Sequence, residues 1–365
     1  RPSITVLAHP SNLVLTHNPT VAVLPAALAV AEQQQASGKD LLEAFLTGVE
    51  VTCRVGGWLG RPHYNAGFHQ TATSGAFGAA AAAARLLDLD AERAAHALGL
   101  AATRASGLKC QFGTMAKPFH AGMAASTGVE SATLAALGFV ARPDAIECAG
   151  GFATTHGAGQ GCLDNSFDGL PEAFRFVDVQ YKFHACCHGT HPALEALHGL
   201  REQHRLTGGD IEHVTLAIAP QWLPVCCIAQ PTTGLEAKFS LALTGAMVLA
   251  GVDTASLASF SDACCQDPAL TNLARRIEIH PDPAITDTAC HATVLTRSGA
   301  TLSRHVDLST PVSYDTKATK LKAKAGALLG QTRAEALWTF VAALDTQPAA
   351  VLYPRLHDWF ADAAA

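Results

Sequence analysis

Two short stretches of this chain place proton-transfer and anion-binding side chains at the mouths of helices. The first is Gly67-Phe68-His69-Gln70-Thr71, which runs into TATSGAFGAAAAAARLL, a segment of almost nothing but small residues. The second is Gly113-Thr114-Met115-Ala116-Lys117-Pro118-Phe119-His120-Ala121-Gly122. Pro118 suits the first turn of a helix, where its missing N–H has no partner to lose. Lys117 then stands at the positive end of the helix dipole, a poor place for a cation in terms of helix stability. The same place suits an anion, which would meet the ammonium and the free backbone N–H groups together. His120 follows three residues later on the same face. Such a convergence makes a carboxylate or phosphate site; the bland reading is a solvated lysine and a surface histidine. His69, before a buried helix, has the same two readings, and its claim to chemistry rests on its neighbours.

These side chains need a helical frame. Residues 20–57 read as two helices, VAVLPAALAVAEQQQ and KDLLEAFLTGVEVTCRVGG, with Gly38 between them. In the second, apolar residues recur at three- and four-residue spacing. Further helices are expected at about 70–88, 91–105 and 118–138. Asp90-Ala91-Glu92-Arg93 opens the middle one with an acidic cap and Gly107 breaks it. GRPHYNAGFH reads as a Gly-rich loop in which His63, Tyr64 and Asn65 are candidates for substrate contact. Residues 139–176 hold short pieces, and GGFATTHGAGQGC lacks the strand–helix pattern of a phosphate loop. From about 177, VDVQYKF, HVTLAIAP, RIEIHPD, CHATVLTRSG and TLSRHVDL alternate like strands. Helices are expected between them at about 191–206, 236–251, 254–259 and 267–274. Residues 177–317 thus form an α+β region inserted between the helical residues 1–176 and a helical return over 318–365.

Composition bounds the function. A chain of 365 residues with 49% hydrophobic and 15% charged residues is a globular protein with much buried surface. The formal charge of −6 leaves no basic footprint for nucleic acid. The 11 cysteines are scattered or adjacent, as in Cys186-Cys187, Cys226-Cys227 and Cys264-Cys265, without a CxxC pair. That pattern reads as reduced thiols in a cytoplasm. No signal peptide or membrane span is visible, and Arg85 interrupts the alanine-rich segment after His69. The run from Tyr181 to His191 is dense in His and Cys, which invites a zinc reading. The spacing is poor for it: Cys186 and Cys187 point apart, and no second ligand pair accompanies His188 and His191.

The motifs GFHQTATSGAFGAAAAAARLL, HALGLAATRASGL, FGTMAKPFHAGMAA, ALGF, YKFHACCHGTHPALEAL and EAKFSLALTGAMVLAG resemble, in this order, those of the MmgE/PrpD family. The resemblance covers most of the chain from about Asn18. The family includes 2-methylcitrate dehydratases, cis-aconitate decarboxylases and iminodisuccinate epimerases. It implies a mainly α fold in which both chain ends build a large helical domain, with a smaller α/β domain inserted and the site between them. It also implies a homodimer, a small polycarboxylate substrate and no metal or organic cofactor. His69 is then the general acid/base, Lys117 and Lys182 clamp carboxylates and stabilise charge, and His120 supports them or donates to the substrate. Tyr64, Thr71 and Thr114 are further contact candidates, and Lys238 holds either substrate or the domain interface.

At the amino terminus the family carries a further helical segment and a His- and Asp-rich stretch. Here the family histidine falls on Asn18, with His17 one residue earlier, and the paired aspartates have no counterpart. A chain that begins at Arg1 fits a truncated, processed or defective form. The family's reactions all place negative charge beside a carboxylate. The expectation is therefore a cofactor-independent lyase, first a 2-methylcitrate dehydratase. An epimerase, a decarboxylase and an inactive polycarboxylate binder are the alternatives.

Overall fold

The computed structural model describes residues 6–8, 18–157 and 164–361. Five helices make the first half: α1 (Pro19–Gln33), α2 (Gly38–Asn65), α3 (Gln70–Leu86), α4 (Ala91–Arg104) and α5 (Ala116–Ala136). Their starts are written locally. Ser37 and Asp40 cap α2 reciprocally, and Asp90 accepts from the Arg93 N–H at 2.9 Å to open α4. The small-residue segment after His69 is α3, and it is buried along almost its whole length. It packs against α1, α2, α4 and α5. Alanines at Ala72, Ala76, Ala79, Ala80 and Ala83 let the four neighbours approach closely enough to fill the space.

GRPHYNAGFH differs from its expectation. The chain kinks at Gly60 (φ 62°, ψ −165°) and then resumes helical turns to Asn65. Pro62 stands in the first turn after the kink, where no N–H is needed, so this stretch is an offset extension of α2 rather than a loop.

After the short helix α6 (Phe152–His156), the strand β1 (Val6–Ala8) pairs antiparallel with β2 (Val179–Tyr181), apart from the main sheet. The second half then runs α7 (His191–His204), β3 (Ile211–Ile218), α8 (Leu223–Cys226), α9 (Gly234–Ala237), α10 (Leu241–Leu249), α11 (Asp262–Gln266) and α12 (Pro268–Ala274). It closes with β4 (Ile277–Pro281), β5 (Ala289–Thr296) and β6 (Thr301–Asp307). The sheet order is β4-β3-β5-β6, with β3 and β4 parallel and the other pairs antiparallel. A register shift between Ile211 and His213 sets Val214, Leu216 and Ile218 on the buried face. There they share a core with Leu194, Leu197 and Met247 of α7 and α10. Residues 254–259 are turns rather than the expected helix.

The chain returns to helix in α13 (Tyr314–Leu329), α14 (Gln331–Ala342) and α15 (Ala349–Ala361). Leu352 and Tyr353 of α15 join the core of Val23, Ala27, Leu41 and Val49, so the last helix packs on the first two. A buried ion pair ties down the connection between the halves. Arg54 Nε meets Glu50 Oε1 at 2.6 Å. The guanidinium also donates to the carbonyls of Ser166, Asp168 and Ala173, and Glu50 accepts from the N–H groups of Arg175 and Phe176. Among the described residues, no helix is long and apolar enough to cross a membrane.

Candidate active site

His69 is the residue before α3, and a short antiparallel bridge fixes it. Phe68 pairs with Leu108, the His69 N–H donates to the Gly107 carbonyl at 2.9 Å, and the Lys109 N–H donates to the Gly67 carbonyl at 2.8 Å. Gly107 has φ +148°, and a Cβ there would stand 2.6 Å from the Ala72 Cβ and 3.4 Å from the His120 Cγ. The glycine therefore lets the 107–109 strand lie between α3 and the His120 ring. The outcome is a histidine pair: His69 Nδ1 and His120 Nδ1 are 3.0 Å apart. One of the two must donate and the other accept, so a single proton lies between them. Burial and the Lys117 ammonium hold His120 below the usual histidine range. Phe112 meets the His69 ring edge-on at 5.0 Å, closing one side.

Lysines gather next to this pair from distant parts of the chain. Lys117 lies in the first turn of α5, Lys182 follows β2, and Lys238 ends α9. Burial first, and then the ammonium groups of Lys182 and Lys238, push Lys117 down to about 8. Burial lowers Lys182 as well, and burial and then Lys182 lower Lys238. None of the three forms an ion pair with a carboxylate of the described residues. Lys117 instead stands 5.8 Å from the centre of the Phe239 ring, and Lys182 Nζ donates to the Cys186 carbonyl at 3.2 Å. Three cations this close without a carboxylate repel one another, and an anion relieves the repulsion.

The helix-mouth N–H groups of α5 behave differently from expectation. The Ala116 N–H is taken by Thr114 Oγ1 at 3.2 Å and the Lys117 N–H by the Thr114 carbonyl at 3.3 Å. Pro118 is the third residue of the helix, within its first turn as expected. The side chains of Lys117 and His120, not free backbone groups, are thus what this helix start leaves available to an anion. Thr114 is exposed and serves the helix start.

The other expected contacts divide. Thr71 Oγ1 is buried and accepts from the Asn18 N–H at 3.0 Å and from Asn18 Nδ2 at 3.4 Å, which brings Asn18 beside the start of α3. His17 lies outside the described residues. Tyr64 is buried in the core of the second half, with Lys109 Nζ 3.7 Å above its ring. His63 is an internal strut: Nδ1 donates to the His156 carbonyl, Nε2 accepts from Thr73, and burial pushes it down to about 4. Asn65 is exposed.

Three features escape sequence reasoning. Lys324 of α13 is buried and donates to the Lys182 carbonyl at 2.6 Å, clamping the segment that carries the second lysine. Its sequence, KLKAKAG, reads as a solvated helix face. Arg61 pairs with Asp287, joining the extension of α2 to the turn before β5. Cys187 also lies against this centre: Cys226 first, and then the Lys182 and Lys117 ammonium groups, hold its thiol down to about 6. Cys186 and Cys187 do take different partners: Cys186 Sγ lies 3.1 Å from Thr190 Oγ1, and Cys187 meets Cys226. Among the described residues no three His, Cys, Asp or Glu side chains converge to hold a metal. A separate apolar groove between α1 and α5, lined by Pro25, Ala29, Ser126 and Val129, includes none of these lysines.

A helical protein with a small α/β unit and a lysine–histidine centre gathered from both halves is the class these elements define. Residues 14–162 match the MmgE/PrpD N-terminal domain and residues 184–346 the MmgE/PrpD C-terminal domain. The chain belongs to the MmgE/PrpD family. It is 28% identical over 350 residues to the cis-aconitate decarboxylase of Homo sapiens, covering 90% of this chain and 72% of that protein. It is 29% identical over 281 residues to the cis-aconitate decarboxylase of Aspergillus terreus, covering 70% of this chain and 56% of that one. Its similarity to the cis-aconitate decarboxylase-like protein oryM of Aspergillus oryzae is 32% over 197 residues, half of this chain and 41% of the relative.

Proposed function

We propose that this chain is a cofactor-independent lyase of small polycarboxylates, and that its reaction is decarboxylation of an unsaturated acid of the cis-aconitate class. The observation that carries this reading is the set of three lysines without carboxylate partners, Lys117, Lys182 and Lys238, beside a histidine pair that shares one proton. Lys117 and Lys182 hold the carboxylates that stay on the substrate. Their charge stabilises the electron pair left behind when carbon dioxide departs. His69 and His120 then deliver one proton to carbon.

The expectation from sequence placed dehydration of 2-methylcitrate first. Dehydration needs a base to remove a proton and an acid to protonate the departing hydroxyl. Decarboxylation needs a net delivery of one proton, which a histidine pair with one shared proton can provide. The similarity to cis-aconitate decarboxylases supports the same order.

The test is incubation with cis-aconitate, 2-methylcitrate and iminodisuccinate in deuterated water. Release of carbon dioxide with one deuterium on carbon supports the proposal. Loss of water from 2-methylcitrate restores the dehydratase reading, and deuterium in an unchanged skeleton marks an epimerase. Thermal stabilisation by these acids without turnover marks a binder.

A further inference from the structure

The reaction above makes no use of the thiols that line the lysine centre. Cys187 is held by its backbone: its N–H donates to the Lys238 carbonyl at 2.9 Å, and its carbonyl accepts from the Thr190 hydroxyl at 2.7 Å. Two residues on, Gly189 lies flat against Trp222, where a Cβ would stand 2.5 Å from the indole Cε3. That contact brings the 187–189 turn onto the 222–227 segment. There Cys226 and Cys227 turn their sulfurs toward the Trp222 carbonyl, at 3.5 and 3.8 Å. Cys187, Cys226 and Cys227 pack against the same core there, with Cys226 between the other two in its electrostatic interactions. Cys226 is fully buried, whereas Cys187 keeps part of its surface open. The charged and titratable groups around Cys187 are Lys117, Lys182, Cys186, Cys226, Cys227 and Tyr64.

We propose that Cys187 is a peroxide-reactive modification site, with Cys226 as the resolving thiol that closes a disulfide beside the lysine centre. The Cys187 sulfur attacks one peroxide oxygen, the O–O bond breaks, and a sulfenic acid and water result. The Cys226 sulfur then gives up its proton and attacks Cys187. The S–S bond forms, the S–O bond breaks, and a second water leaves. Two thiols are oxidised and one peroxide is reduced to two waters.

The electrostatics support the same assignment. A thiol held down to about 6 is half ionised at pH 6, against ~0.3% for a free thiol near ~8.5, about 160-fold more thiolate. The weaker nucleophilicity of the more acidic thiol takes back ~20-fold, leaving a net gain of roughly tenfold. A bridge beside the lysine centre should also cost turnover, an expectation that rests on the lyase reading; the thiol chemistry does not, because mass spectrometry reads it without substrate.

The experiment treats the whole chain with hydrogen peroxide at pH 6, then maps thiols and bridges by peptide mass spectrometry. The expected result is a Cys187–Cys226 bridge that forms roughly tenfold faster than a small free thiol oxidises and is reversed by dithiothreitol. Bridge formation slows when polyacid occupies the lysines. Cys226→Ser should keep basal turnover and accumulate a sulfenic acid on Cys187 that dimedone traps. Oxidation of exposed Cys110 with Cys187 untouched overturns the proposal. A Cys187–Cys227 bridge overturns the pairing, and an unchanged bridge in Cys226→Ser does the same.

Discussion

Raising the pH from 7 to 10 should strip the charge from Lys117 and release the substrate's carboxylate. Lys117 is pushed down to about 8 by burial and by its lysine neighbours. The logarithm of kcat/KM should therefore be flat below pH 8 and fall by about one decade per unit above it, as a single ionisation requires. A hydrogen bond to a charged group contributes ~1.5–3 kcal/mol, so Lys117→Met should lower kcat/KM by about 10- to 150-fold at pH 7 and remove that limb. Lys182→Gln takes away one repelling ammonium and leaves the burial. Burial is the larger cause, so the limb should move up by at most about one pH unit, well short of a free lysine. Stability carries the opposite sign. Between about 8 and the free-lysine value of 10.5, the unfolded chain binds more protons than the folded one, so Lys117 makes the empty protein more stable as pH rises. The buried thiols Cys186 and Cys290, pushed up to about 11 and about 12, oppose this trend at the alkaline end. The clean quantity is therefore the difference between wild type and Lys117→Met in urea unfolding. An alkaline limb that survives in Lys117→Met, or a stability difference that does not change between pH 8 and 10, would refute the reasoning.

Three further outcomes are expected. His120→Ala removes the partner of the His69 proton and should lower kcat by ~10²–10⁴ with little change in KM, measured by carbon dioxide release. Gly107→Ala forces a side chain at φ +148° against Ala72 and His120; it should cost about 1–3 kcal/mol by urea unfolding and reduce kcat as well. Arg54→Met leaves Glu50 buried beside the 164–178 segment and should cost ~3–5 kcal/mol, whereas the Glu50→Leu/Arg54→Met double variant should recover much of it.

Helices were legible from period, as in α2, or from a cap, as in α4 with Asp90, while the Ser37–Asp40 box that opens α2 went unread. The four strands of the sheet were legible by alternation. The extension of α2 past Gly60 was not, because Gly, Pro and Asn mark both a loop and a kinked helix that restarts at Pro62. The 254–259 segment was overread, its small residues carrying helix propensity without a face to bury. Within the site, His69, Lys117 and His120 could be named from local spacing. Their company could not: Lys182, Lys238 and Lys324 lie 65 or more residues from Lys117 and meet it only through tertiary packing. Cys187 was read only as a poor zinc ligand, since its neighbours come from the 222–227 segment and from α5.

That dispersion has a physical consequence. Lys117 belongs to the first helical half, Lys182 and Lys238 to the segments around the sheet, and Lys324 to the returning helix. Left alone, these cations repel one another where the two halves meet, while Arg61 of the first half and Asp287 of the second hold them together. A polyacid held as proposed would offset that repulsion, because its carboxylates would face ammonium groups from different halves. Such a ligand would add to stability by its own binding free energy. A single lysine on one element could hold a carboxylate, but it would not link the two halves beside the His69–His120 pair that is already in place.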